Sequence, residues 1–175
     1  MPRVKKLVVI GPESTGKSTL TKGLAEVFAE PWVEEYAREY LHLLQRDYVF
    51  EDLLEIAKGQ LALEDRKIKS AQRMLFCDTD LHVIKVWSDH KFKKTDPWIL
   101  QQIQQRKYDL YLLTDIDIPW QEDPLREHPD PEMRKHFFDI YHDILAKSDT
   151  PSVLISGNPE HRLDQAIKLV REFLG

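Results

Sequence analysis

Gly11, Gly16, Lys17 and Ser18 stand in the pattern G-x-x-x-x-G-K-[ST] within "GPESTGKST". The two glycines admit backbone turns that a side chain would obstruct. Such a loop aims successive N–H groups at one point, and a following helix adds the positive end of its dipole. The amides of Gly11, Glu13, Ser14, Thr15, Gly16, Lys17, Ser18 and Thr19 are therefore the expected cradle for the phosphates of a nucleoside triphosphate. Lys17 supplies a compact positive charge for the β and γ phosphates, and the Ser18 hydroxyl is placed to ligate Mg²⁺. The G-x-G-x-x-G fingerprint of dinucleotide folds is absent, and so is an N-K-x-D guanine reader, which favours adenine and hence ATP.

Further acids and cations suit phosphoryl transfer. Asp78 follows the apolar run "MLFC", where an acid binds Mg²⁺ directly or through water; its other reading is a helix N-cap. Asp80 lies two residues on. Glu35 closes "WVEE" and is the favoured residue to orient or deprotonate an acceptor hydroxyl, with Asp80 as its rival. Arg126 and Arg134 fall in "IDIPWQEDPLREHPDPEMR", which holds four of the ten prolines and dense charge. A mobile lid at about 117–135 would bring these arginines to the phosphates as charge spreads in the transition state. Their other reading is surface pairing with Glu127 or Asp130.

The elements that must position these groups are legible in part. Lys5 to Ile10, "MLFCD", "LYLLTD" and "SVLIS" read as buried strands, and "WVEE" as a short one. "KSTLTKGLAEVFA", with Leu20, Leu24, Val27 and Phe28 at helical spacing, reads as a helix stopped by Pro31. "YAREYLHLLQ", a long stretch from about Glu51 to Gln72, "LHVIKVW", "PWILQQIQQR", Glu132 to Lys147 and "NPEHRLDQAIKLVREFL" read as helices. On the long stretch Leu54, Ala57, Leu61, Ile68 and Ala71 mark the expected buried face. Asn158 is the expected cap of the last helix, with Pro159 in its first turn. Strands alternating with helices imply an α/β domain with a parallel sheet covered on both faces. A single domain accounts for all 175 residues. The net charge of −5 and the lack of a dominant basic tract argue against a nucleic-acid partner. The run His90 to Lys94 reads as a solvated loop. The lone Cys77 excludes an internal disulfide and reads as a buried small hydrophobe. No apolar stretch approaches ~18 residues, and "MPRVKK" leads straight into a strand, so the expectation is a cytoplasmic protein with no membrane partner.

"GPESTGKSTL", "EEYAREY", "FCDTD", "YDLYLLTDIDIPWQEDPLR" and "SGNPEHR" together resemble, in order and over nearly the whole chain, the ribosylnicotinamide kinase domain of the bifunctional bacterial NAD-biosynthesis regulators. The resemblance implies a P-loop NTPase fold like that of the nucleoside and nucleotide kinases: a parallel five-stranded sheet of order 2-3-1-4-5, with a lid. It implies transfer of the ATP γ-phosphate to the 5′-hydroxyl of nicotinamide riboside, giving nicotinamide mononucleotide. It places Glu35, Tyr36 and Arg38 at the acceptor, Asp78 and Asp80 at Mg²⁺ and the acceptor ribose, Trp120, Asp123 and Arg126 in the lid region, and Arg162 near the adenine. Tyr36 and Trp120 would each stack on a flat base. The regulators carry further segments before the kinase, so this chain is expected to be a stand-alone form. Kinases of another nucleoside or of a nucleoside monophosphate share the architecture. An ATP-binding switch is the alternative of a different class.

Overall fold

A computed structural model of the protein describes residues 3–175. The chain runs β1 (Lys5–Ile10), α1 (Lys17–Phe28), β2 (Trp32–Val33), α2 (Tyr36–Leu44), α3 (Phe50–Lys67), β3 (Met74–Asp78), α4 (Leu81–Phe92), α5 (Pro97–Gln105), β4 (Leu110–Thr114), α6 (Pro131–Ala146), β5 (Ser152–Ile155) and α7 (Pro159–Leu174). The strands form one parallel sheet in the order β2-β3-β1-β4-β5.

Period-two alternation explains the layering. Leu7 and Val9 of β1 face one layer, where α1 and α7 contribute Leu20, Leu24, Ala166 and Val170. Val8 and Ile10 face the other, where α4 and α6 contribute Val83, Val86, Phe137, Tyr141 and Leu145. Cys77 is wholly buried on that side. A third cluster joins α2, α3, α4 and α5 through Ala37, Leu53, Ile56, Leu61, Ile84 and Ile99.

Three helices share one starting device. Asp96, Asp130 and Asn158 each cap a helix whose first residue is proline: Pro97, Pro131 and Pro159. Proline holds the preceding residue extended, and its missing N–H is one the first turn leaves unpaired anyway.

Several local readings need correction. Val27 is exposed, because the packed face of α1 is set by Leu20, Thr21, Leu24 and Ala25. β2 ends at Val33, so Glu34 and Glu35 lie beyond it. The long helix stops at Lys67 and tightens into a 3₁₀ turn at Ile68–Ser70. Its buried face runs through Leu53, Ile56, Ala57, Gln60, Leu61 and Glu64, so Ile68 and Ala71 are not on it. His90 to Phe92 form the last turn of α4 rather than a solvated loop. His90 packs edge-on to Phe137, and the Lys91 and Lys94 ammonium groups lie over Tyr48 and Phe50 at 3.5 and 4.2 Å. The proline-rich segment has no regular structure only as far as Asp130. Pro131 to Arg134, at the end of the expected lid, belong to α6.

The first loop leaves β1 at Gly11, where β4 comes close. A Cβ at Gly11 would stand 2.3 Å from Thr114 Oγ1 and 2.9 Å from the Thr114 carbonyl oxygen. Gly11→Ala is therefore expected to destabilise the fold by about 2–3 kcal/mol, a fall of about 4–12 °C in Tm. Thr114→Ser added to it would not restore the loss, since the backbone oxygen remains. An unchanged Tm in thermal denaturation would refute this close approach.

Candidate active site

Gly16 caps α1 in the left-handed region at φ 74°, and Ser14 adopts φ 56°. Thr15 Oγ1 donates to Pro12 O at 2.8 Å and shares a hydrogen bond with Thr114 Oγ1 at 2.7 Å, tying the loop to β4. Two buried guanidinium groups grip the loop from behind. Arg134 Nη2 donates to Ser14 O at 3.2 Å, and Arg162 Nη1 donates to Thr15 O at 2.7 Å. With these carbonyls held, the amides between them stay free to face the cleft. Among the described residues none of the amides from Ser14 to Ser18 has an acceptor. Lys17 Nζ donates to Pro12 O at 2.7 Å. Burial lowers its pKa, opposed by the charges of Glu35 and Asp78.

Arg134 thus differs from the expected nucleotide ligand and does not line the cleft, whereas Arg162 both holds the loop and lines the cleft. Arg134 also donates to Ile118 O and is only 8% exposed, because it sits in the first turn of α6 rather than in the lid. Arg162, 2% exposed, also binds the carbonyls of Gly157 and Asp115 and pairs with Asp117. Four of its five N–H groups are engaged by protein oxygens.

Asp78 ends β3 beside the loop, and Ser18 Oγ donates to its Oδ2. Its Oδ1 is buried with no partner. Burial pushes the Asp78 carboxyl up to about 7, the Glu35 charge adds to this, and Lys17 and Ser18 oppose it. An orphaned carboxylate oxygen beside a serine hydroxyl fits a hard cation that keeps several waters. The described residues hold no cluster of three His, Cys, Asp or Glu that would enclose a metal by themselves.

Thr79 next adopts φ 69°, a costly conformation for a β-branched residue, and turns the chain away from the cleft. Asp80 follows it inward. It caps α4 by accepting from the His82 amide at 2.9 Å, and it also accepts from Tyr111 OH at 2.6 Å and meets His82 Nδ1 at 2.8 Å. It is 3% exposed and does not line the cleft. The expected contact with acceptor or metal is overturned: Asp80, not Asp78, is the helix cap.

Glu35 stands between β2 and α2, and its carboxylate makes no hydrogen bond to a described residue. Gln60 braces this turn, accepting from the Tyr36 amide at 2.8 Å and donating to Glu34 O at 3.1 Å. The Tyr36 ring lies on Gly59, whose missing side chain makes the room: a Cβ there would stand 2.0 Å from the ring. Tyr36 lines an outer groove and not the main cleft. Arg38 reaches both, and its Nη1 donates to Asp123 Oδ2 at 2.8 Å, so two expected acceptor contacts are paired with each other. Trp120 lies 6.0 and 5.8 Å from the Arg126 and Arg134 guanidinium carbons and is not on the cleft wall, contrary to the base-stacking expectation.

The cleft has a volume of about 240 Å³. The loop residues Glu13 to Thr19, Glu35, Arg38 and Arg126 line its polar part. Leu41, Val83, Trp87 and Tyr141 supply apolar wall, and Ile118, Pro159, Arg162 and Leu163 line the cleft as well. Sequence reasoning missed Leu41, Val83, Trp87 and Tyr141 as site residues. Helical periodicity marked "LHVIKVW" as a helix but carried no sign of which face met the loop.

A phosphate-type loop between the first strand and first helix of a 2-3-1-4-5 parallel sheet defines a P-loop nucleotide-binding protein with the fold of nucleoside and nucleotide kinases. The chain belongs to the AAA domain family, whose model matches residues 6–162. It is 28% identical over 177 residues to the trifunctional NAD biosynthesis/regulator protein NadR of Escherichia coli (strain K12), covering 98% of this chain and 43% of that protein. The chain thus spans less than half the length of this curated relative. A crystal structure of NadR in complex with NR matches with a TM-score of 0.81 at 28% identity, over 97% of this chain and 49% of the other. NadR in complex with NAD and AMP-PNP matches at 0.79, with the same identity and coverage. Thymidylate kinase from Ehrlichia chaffeensis, 15% identical, shares the fold with a TM-score of 0.66 over 97% of this chain and all of that one. Among the described residues no helix is long and apolar enough to cross a membrane.

Asp80→Ala removes a helix cap and leaves the Tyr111 hydroxyl unpaired. It is expected to cost about 2–4 kcal/mol of stability. Asp80→Asn, which keeps an acceptor for the His82 amide, is expected to leave turnover within a few-fold. A large loss of turnover in a fully folded Asp80→Asn protein would return Asp80 to the reaction.

Proposed function

We propose that this chain is an ATP-dependent kinase that transfers the γ-phosphate to the 5′-hydroxyl of a nucleoside, with nicotinamide riboside the leading acceptor. One observation carries the reading. The free amides and Lys17 of the loop share a cleft with the unpaired Glu35 carboxylate and an apolar wall that holds Trp87. A switch ATPase has no need of a second, apolar compartment next to its phosphate site. The relatives support the choice of substrates: a NadR structure holds NR and another holds AMP-PNP.

Each residue then has a task. The amides of Glu13 to Thr19 and the Lys17 ammonium hold the phosphates and stabilise charge on the transferring group. Ser18 and Asp78 would hold Mg²⁺, whose charge neutralises the phosphate oxygens when it is bound. Glu35 orients the acceptor hydroxyl and takes its proton as the new P–O bond forms and the bond from the γ-phosphorus to the β–γ bridging oxygen breaks, with ADP as the leaving group. Trp87 and Leu41 offer the acceptor base a flat apolar surface that excludes water. Arg126 lies over the loop and reaches the transferring phosphate from the lid, which comprises the irregular residues up to Asp130. Arg38 serves as the partner that holds this lid through Asp123.

The test is a screen of nucleosides and their monophosphates with ATP and Mg²⁺, read as phosphorylated product. Nicotinamide riboside is expected to lead. A monophosphate used far faster than any nucleoside would replace the acceptor, and ATP hydrolysis without any phosphorylated acceptor would replace the kinase. Lys17→Ala is expected to abolish transfer while leaving the circular-dichroism spectrum and Tm little changed. Glu35→Gln is expected to lower kcat by about 10²–10⁴-fold with ATP affinity nearly unchanged. A near-normal kcat for Glu35→Gln at saturating acceptor would remove Glu35 from the reaction.

A further inference from the structure

Glu13 is one of the positions that the G-x-x-x-x-G-K-[ST] pattern leaves open, and phosphate binding asks nothing of its side chain. Its carboxylate nevertheless has a defined place. Glu13 Oε2 accepts from the amides of Glu127 and His128, at 3.1 and 3.3 Å. These amides lie immediately after Arg126, at the far end of the irregular lid. The next residue of the loop grips the near end. Ser14 Oγ accepts from the Gln121 amide at 2.8 Å and from Arg126 Nη1 at 3.3 Å.

The start of the lid is tied down separately: Ile118 O accepts from Arg134, and Asp117 pairs with Arg162. Beyond that start the holds are weaker: the ion pair of Asp123 with Arg38 is partly exposed, and the Tyr48 hydroxyl reaches Glu127 Oε2 only at 3.4 Å. Exposed pairs of this kind contribute little. By contrast the Glu13 carboxylate is half-buried, and a charged acceptor serving two backbone donors is strong and directional. The His128 ring beyond it is seated against Phe137 and His90, at 4.9 and 5.1 Å between ring centroids. Arg126 thus lies within a short span, next to its far end, whose two ends are fixed to consecutive residues of the phosphate loop.

Resting on the kinase reading, we propose that Glu13 is a positioning residue: by clasping the amides of Glu127 and His128 it holds the lid on the phosphate loop and so places Arg126 over the transferring phosphate. Glu13 itself touches no reacting atom in this arrangement. Its effect on the rate passes through Arg126. Binding of phosphates to the loop amides and closure of the lid then draw on the same few residues, so filling the loop and seating the arginine are mechanically one event.

The experiment has two arms, both on the full chain. The first is amide hydrogen exchange at Glu127 and His128, followed by NMR in the absence and presence of the ATP analogue AMP-PNP with Mg²⁺. Glu13→Ala is expected to raise exchange at these two amides by about tenfold or more with the rest of the fold unchanged. Glu13→Gln, which keeps one acceptor oxygen, is expected to fall between the wild type and Glu13→Ala. The second arm is a double-mutant cycle on kcat. Glu13→Ala and Arg126→Ala should each lower kcat by about ten- to hundredfold, and the double variant should be no slower than Arg126→Ala alone, because the two act as a unit. KM for ATP should change much less than kcat. Full additivity in the cycle, or Glu127 and His128 amides that exchange alike in wild type, Glu13→Gln and Glu13→Ala, would overturn the proposal. If the wild type phosphorylates no nucleoside, the kinase reading fails on its own, and the exchange arm still decides whether Glu13 holds the lid.

Discussion

The grip of two buried guanidinium groups on the phosphate loop is the constraint on which the rest depends. A peptide unit has two polar ends, and a loop can offer its amides to an anion only if its carbonyls are satisfied elsewhere. Arg134 and Arg162 meet that need at Ser14 and Thr15, from the first turn of α6 and the first turn of α7. Both helices start at a proline behind a capping Asp or Asn, which fixes where those first turns lie. The sheet sets the height of the loop through β1, and the contact of Gly11 and Thr15 with Thr114 fixes it sideways against β4.

Two neighbouring acids show how environment separates roles. Asp78 and Asp80 lie on either side of one left-handed residue, Thr79. That single turn directs Asp78 to the Ser18 hydroxyl and leaves one of its oxygens without a partner. It directs Asp80 into a closed network with His82 and Tyr111. Both are almost fully buried, yet burial raises the pKa of Asp78 while the partners of Asp80 lower that of the latter. The difference is the number of donors each carboxylate meets. The unpaired acid is the one left able to serve a cation.

The lid is joined to the body mainly by polar contacts to the phosphate loop and to α2. Buried Arg134 and Arg162 hold its start at Ile118 O and Asp117, and the His128 ring packs on Phe137.

The sequence by itself determined the sheet strands, the helices between them and the phosphate loop. The reason is that these depend on near-neighbour rules: continuous apolar runs for buried strands, helical spacing, proline after a capping residue, and glycine where the backbone must turn. Edges were less legible. The buried face of α3 was shifted because Leu53 and Ile56 are indistinguishable by pattern from Leu54 and Ile68. The second half of the site was decided only by tertiary structure. Whether Asp78 or Asp80 meets the Ser18 hydroxyl depends on one backbone turn at Thr79. Whether Arg134 meets a ligand or a carbonyl depends on where α6 lands. Trp87 and Tyr141 reach the cleft because α4 and α6 pack on the same face of the sheet beneath the loop. Residue type and spacing carry the chemistry a side chain can perform. Only the packing of distant segments settles which of its possible partners lies within reach, since a charged or aromatic group is equally compatible with a ligand and with the protein's own backbone.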